Sequence, residues 1–387
     1  MLHDDSDDDL EIITGAMEEG STSHHGGTQC RRSIMRNQLQ GHERLMLDYF
    51  VESPVYPPRL FRRRFRMRCP LFRCIVSEVE DHQPYFIQQR NATGTLGFSS
   101  IQKITTVFRM LAYGVTGDYV DEYLRISETT AMESLKLFVE AVVSLYSDQY
   151  LRSPTTHDVA RLLADGESRG FPGMLGSNVC IHWKWKNCPT SWRGMYSGHK
   201  REATIILEAV VSYDLWIWHA FFGLPGSNND INVLEKSFLF TELARGRAPQ
   251  VNYSINGHDY TMGYYLADVQ ESARKDVERA FGVLQARFAI VRQPARIFKV
   301  PELKQIMKAC IILHIMTIED ERDEQDTLDF DYEQLDANPP EPVSHDQPDM
   351  LAEFISNHLR IRDKGTHSQL QSDLVEHLWQ LHGAFTS

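Results

Sequence analysis

Three apolar runs follow one another in the middle of the chain: Met174 to Trp185, Ala203 to Ser212 (ATIILEAVVS) and Leu215 to Gly223 (LWIWHAFFG). Their length and their β-branched and aromatic content read as strands. Only Tyr213 and Asp214 separate the last two, which predicts a tight hairpin and an antiparallel meander. Further on, Val251 to Ile255 reads as a strand with an Asn256-Gly257 turn, and Met262 to Ala267 as another strand. Ile231 to Phe238, between the meander and these strands, reads as a short helix. Glu271 to Phe288 reads as a longer helix, with apolar positions 273, 277, 280, 281, 284 and 288 on one face. A meander followed by strands and helices in alternation predicts an α/β fold, a mixed sheet with flanking helices.

Upstream, from about 41 to 150, the periodicity is helical. Phe98 to Tyr113 carries apolar residues at 101, 104, 107, 108, 111 and 112, Gly114 to Asp118 interrupts it, and a helix over roughly 128–146 follows the short Tyr119–Leu124 segment. A helix-turn-helix and an ordinary helical bundle both fit this pattern. Residues 1–40 mix acids, Gly, Ser and His without periodicity and are expected to be disordered. The organisation predicted is a disordered acidic N-terminus (1–40), a helical domain (41–150), the sheet domain (171–318), an acidic linker (319–350) and a C-terminal helical segment (351–387).

The net charge of -13 argues against nucleic acid only until it is partitioned. Residues 1–11 hold six acids, and 319–349 hold thirteen against one Arg, so the remainder carries about +5. No apolar run is long enough for a membrane span and the N-terminus lacks the pattern of a signal peptide, so an intracellular, non-membrane protein is expected. The six cysteines form no CxxC pair, which argues against a disulfide framework or a zinc module. Cys180, His182, Cys188 and His199 are too irregularly spaced to suggest zinc. No G-x-S-x-G elbow points to a serine hydrolase.

Arg59 to Arg68 contains six Arg, with Arg62, Arg63, Arg64, Arg66 and Arg68 around Phe61, Phe65 and Met67. Such a stripe suits phosphate contact, a nuclear-import patch, or a basic helix face docked on acids of the same chain. Asp230, Asp268 and Glu278 stand at element ends and on a helix, as donors to two hard divalent cations would. Each also has a plain structural reading: Asp230 as a helix N-cap, Asp268 as a turn residue, Glu278 as a partner of Arg274.

At these residues the chain resembles the PIF/Harbinger transposase-derived nucleases of the DDE superfamily, their plant branch above all. The resemblance rests on WKWKNCP (183–189), YDLWIWHAFFGLPGSNNDINV (213–233), NGHDYTMGYYLAD (256–268) and RKDVERAFGVLQARF (274–288), and extends from about Phe171 to Arg322. It implies an RNase H-like core preceded by an N-terminal helical domain. It also implies a four-carboxylate site for Mg²⁺ or Mn²⁺ that cleaves DNA, a nuclear location with some cytoplasmic protein, and cooperation with a Myb-like DNA-binding protein. Asp230, Asp268 and Glu278 match the second, third and fourth acids.

Three positions depart from the pattern. The first acid, in a Gly-Ser-Ile-Asp-Cys strand motif, falls on Val179, which cannot coordinate a hard cation. The segment expected between Asp268 and the helix of Glu278 is missing, and Ile315 replaces the usual Asn after Leu313-His314. Two readings follow: a metal-dependent DNA endonuclease, impaired here, or a catalytically inactive descendant that binds DNA or a protein partner.

Overall fold

From Ala309 to Ile318 every residue of the helix over Val300–Asp323 is buried, and Leu303, Ile306 and Met307 are buried ahead of them. A stretch buried all round needs neighbours on more than one side, and this helix packs on both the longest upstream helix and the third strand of the main sheet. The chain is described here from a computed structural model covering residues 34, 36–90, 92, 94–198, 201–237, 250–266, 271–323 and 364–384.

In chain order the upstream helices are α1 (Gln38–Tyr49), α2 (Pro58–Phe65), α3 (Cys69–His82), α4 (Ser100–Tyr113), α5 (Asp121–Leu124), α6 (Glu128–Tyr150) and α7 (Thr156–Ser168). Then come β1 (Met174–Lys184), α8 (Arg193–Tyr196), β2 (Thr204–Val211), β3 (Ile217–Pro225), α9 (Asp230–Lys236), β4 (Gln250–Ile255), β5 (His258–Met262) and β6 (Tyr264–Leu266). The chain closes with α10 (Glu271–Arg287), α11 (Ala289–Arg292), α12 (Val300–Asp323) and α13 (Lys364–Ala384).

Local chemistry sets several boundaries. Ser99 and Gln102 form a reciprocal capping box at the start of α4, and Gly114, at φ 65°, ends it. Thr155 and Asp158 do the same at the start of α7. Asn256 (φ 50°) and Gly257 (φ 85°) turn β4 into β5 in the left-handed conformation that a two-residue hairpin demands.

The main sheet runs β3-β2-β1-β6, with β1 and β3 antiparallel to β2, and β6 parallel to β1. It is therefore mixed, as expected. The strand expected over Met262 to Ala267 is in fact two, because the chain leaves the β4–β5 hairpin at Gly263 and enters the main sheet. A Cβ at Gly263 would lie 2.6 Å from the Leu175 side chain, so a larger residue at the crossing requires Leu175 to shift. The β2–β3 loop is also longer than the two residues expected. Ser212 pairs with Trp216, and Leu215 takes φ 68°, giving a three-residue loop of Tyr213, Asp214 and Leu215. Asp214 holds it, accepting from Ser212 Oγ and, at 3.4 Å, from Trp216 N, while Arg161 and Arg322 close on its other oxygen.

One apolar core includes Phe61, Phe65, Phe72, Phe108 and Phe138 of the helices together with Val179, Trp183, Leu207 and Ala209 of the sheet. The described residues from Asn37 onward form one compact unit. The start of the acidic stretch is helical rather than linker: Glu319, Asp320 and Glu321 belong to α12, where Tyr150, Arg68, Arg62 and Arg287 bond them. Residues 1–33 and 324–363, on which the disordered and linker expectations chiefly fall, lie outside the described residues. In the C-terminal segment, α13 docks on the β4–β5 hairpin, Tyr260 Oη donating to Asp373 at 2.6 Å and Leu374 packing with Ile255. Among the described residues no helix is long and apolar enough to cross a membrane.

Candidate metal centre

Val179 lies inside β1, opposite Ala209 of β2, and is 5% exposed. Side chains alternate across a strand, so Val179, Ile181 and Trp183 share a face and Cys180 takes the other. The core follows this division. Val179 and Trp183 belong with Ile205, Leu207 and Ala209 to the main core, which also takes Ala280, Phe281, Leu284 and Phe288 of the α10 region. Cys180 packs instead with Ile206 and with Val233 of α9.

Asp230 opens α9 but does not cap it. Asn229 is the N-cap, its Oδ1 accepting from Asn232 N at 2.8 Å, and Asp230 is the first helical residue and exposed. Its carboxylate still favours the helix, because an acid in the first turn meets the positive end of the dipole. Glu278 is exposed on α10, which begins at Glu271 and so carries Glu278 about 10 Å along the axis from its first residue. Asp268 lies outside the described residues. It follows β6 by two residues, and β6 ends with Leu266 beside Ser177, two residues before Val179.

The helices of Asp230 and Glu278 thus pack on opposite faces of the sheet. The position where the resemblance wants a bridging carboxylate is an apolar core position. Among the described residues no group of three or more His, Cys, Asp or Glu is placed to hold a metal ion. At position 179 the sheet offers no oxygen donor, because a buried valine stands where the resemblance wants a carboxylate.

The arginine stripe is engaged mostly within the chain. Arg62 meets Glu321 at 2.6 Å, and Arg68 makes two 2.6 Å bonds to the Asp320 carboxylate and a third to its backbone carbonyl. The Arg64 guanidinium lies 4.0 Å from the Tyr56 ring centroid, and that of Arg66 lies 5.5 Å from Tyr113. Of the five expected to face phosphate, Arg63 is the exposed one. The docked basic face thus describes Arg62 and Arg68, because α12 brings its terminal acids to α2 and to the start of α3.

A polar cluster inside the sheet was missed. Glu208 is fully buried on β2, its Oε2 3.2 Å from His219 Nε2 on β3, and His219 Nε2 is 3.2 Å from Ser237 Oγ. Glu208 Oε1 is buried without a hydrogen-bond partner. The signal was available: an acid inside ATIILEAVVS cannot be an ordinary core residue unless a neighbour pairs it.

The family model described as plant transposon protein matches residues 148–269 and 267–325, from the end of α6 through the sheet to α12. This part of the chain is similar to that family, consistent with the PIF/Harbinger resemblance. The two matched pieces meet at 267–269, where the segment between Asp268 and α10 is short. A second model, a domain of unknown function, matches residues 41–80, which span α1 to α3. No curated protein and no solved structure matches the chain.

Proposed function

We propose that this chain is a transposase-derived protein built on an RNase H-like sheet whose divalent-metal centre has lost its first ligand. In this reading it binds DNA or a protein partner and does not cleave DNA at an appreciable rate. Three antiparallel strands with a parallel fourth beside β1, and helices on both faces, support the RNase H-like assignment. The observation that carries the loss of cleavage is Val179, 5% exposed in an apolar core. Removing a carboxylate that would bridge two cations forfeits several kcal/mol of transition-state stabilisation, which slows cleavage by orders of magnitude.

Asp230, Asp268 and Glu278 are, in this reading, surviving descendants of metal ligands, and Mg²⁺ or Mn²⁺ is the ion they once held. A nuclear location and a Myb-like partner accompany the same proposal. The test is a Mg²⁺/Mn²⁺ nuclease assay on the wild type beside Val179→Asp. The expected result is no cleavage by either, because the short link before α10 leaves Glu278 displaced even when residue 179 is an acid. EDTA-sensitive cleavage by the wild type, abolished by Asp230→Ala, would overturn the reading.

A further inference from the structure

Two distant segments meet beyond the end of β1, pairing Trp185 with Ala295. The stretch 293–297 lies beside 183–187 as a short parallel addition to the sheet edge. Ala295 N donates to Lys184 O at 2.8 Å and Lys186 N to Ala295 O at 2.9 Å. Three side chains fix the join: Trp183 Nε1 donates to Gln293 O at 2.7 Å, Trp185 Nε1 to Ile297 O at 2.8 Å, and Asn187 Nδ2 to Arg296 O at 2.6 Å. The buried Trp185 ring in turn supports Tyr196 and Trp192, at centroid distances of 4.9 and 6.3 Å.

What this rigid join presents to solvent is basic and aromatic. The described residues of 183–202 and 292–302 together contain seven Lys and Arg against two acids. Lys186, Arg193, Arg292 and Arg296 are exposed. Each acid already has a base beside it, Glu202 at 3.4 Å from Lys184 and Glu302 at 3.7 Å from Lys299. Trp192 is 45% exposed and Phe298 42%. An exposed Trp192 ring supported from behind by Trp185, a second exposed ring at Phe298 and exposed cations in the same two segments suit a polyanion that also carries flat apolar faces.

We propose that this surface binds a nucleic-acid strand with unpaired bases, the cations meeting phosphates and Trp192 and Phe298 stacking on bases. Stacking of this kind requires a base free of its duplex neighbours, whereas a duplex offers the cations phosphates alone. The surface uses no metal ligand and does not depend on whether the chain cleaves DNA.

The test uses the full chain in EDTA, with labelled oligo-dT, oligo-rU and a duplex of the same length, read by anisotropy across a salt series. A single strand, of either sugar, is held more tightly than the duplex. Trp192→Ala weakens single-strand binding about tenfold, from the loss of one stacked base, and leaves the duplex unchanged. Phe298→Ala repeats this at a second exposed position where folding is not at stake. Arg193→Gln with Arg296→Gln lowers the slope of log K against log salt by roughly 1.4, two phosphates at about 0.7 each. Equal affinity for strand and duplex with both ring variants unchanged, or no binding at low salt, would overturn the proposal. So would displacement of oligo-dT by polyglutamate at matched charge, which would mark a surface for acidic peptides. Since metal is absent throughout, these results are separable from those of the nuclease assay.

Discussion

Val179 and Ala209 face each other across the β1–β2 pair, and both side chains enter the core shared by the sheet and the helices. At that position an aspartate would bury a charge with no partner in the described structure. Val179→Asp is expected to destabilise the fold by about 3 kcal/mol or more at neutral pH, and by less in acid as the carboxyl takes up a proton. Urea denaturation at two pH values checks this. Mn²⁺ is expected to leave the midpoint of the variant where it was. A Mn²⁺-dependent rise confined to Val179→Asp would mean that the other acids still converge on residue 179.

Glu321 bridges Arg62 of α2 and Arg287 of α10, at 2.6 and 2.7 Å. Arg287 is only 4% exposed, and its other nitrogen donates to the His314 carbonyl at 3.0 Å. Glu321→Gln leaves a buried guanidinium without its counter-charge and should cost about 2–3 kcal/mol, the partial exposure of Glu321 keeping it below the cost of a fully buried pair. Arg62→Gln, with Arg287 still paired, should cost under about 1 kcal/mol. Equal losses in the two variants would contradict this ordering.

His314 gives the fold an acid-sensitive point. Burial first, and then the Arg287 charge, push its imidazole down to about 3, against the opposing hydrogen bond to the Leu215 carbonyl. The unfolded chain takes up the proton near pH 6.5 and the folded one does not until near 3. Between those values stability therefore falls with pH, by about 1.4 kcal/mol per unit. Chemical denaturation between pH 7 and 5 should show a shallower slope for His314→Gln than for the wild type.

Asp214 acts in the opposite pH range. Burial opposes its charge, but Ser212, Arg322 and Arg161 outweigh it and hold its pKa below the usual carboxylate value. Its contribution is full above the unfolded pKa near 3.9 and disappears as pH falls through the lower folded value. Asp214→Ala should cost about 2 kcal/mol at pH 7 and progressively less in strong acid, as measured by thermal unfolding. It removes the acceptor that shapes the loop around Leu215.

Much of the fold was written in local pattern. ATIILEAVVS and LWIWHAFFG announce adjacent strands, Asn256-Gly257 announces its hairpin, and Ser99 with Gln102 marks the start of α4. Periodicity could not reveal that Met262 to Ala267 serves two sheets, because at the break Gly263 packs close to Leu175, nearly ninety residues earlier. The site was less legible. Asp230 looked like a cap because Asp commonly is one, but Asn229 takes that place. The arginines of α2 looked like a phosphate stripe because their acids lie some 250 residues downstream.

By itself, then, the sequence determined the element types, the mixed sheet and the apolar residue at 179, since each depends on side chains a few positions apart. The tertiary structure decided which face Val179 occupies, that α9 and α10 cover opposite faces, and which arginines are paired. It also created the basic and aromatic surface at 183–202 and 292–302. These depend on burial and on charges brought together from distant parts of the chain, and no local pattern encodes which distant partner will desolvate or neutralise a given group.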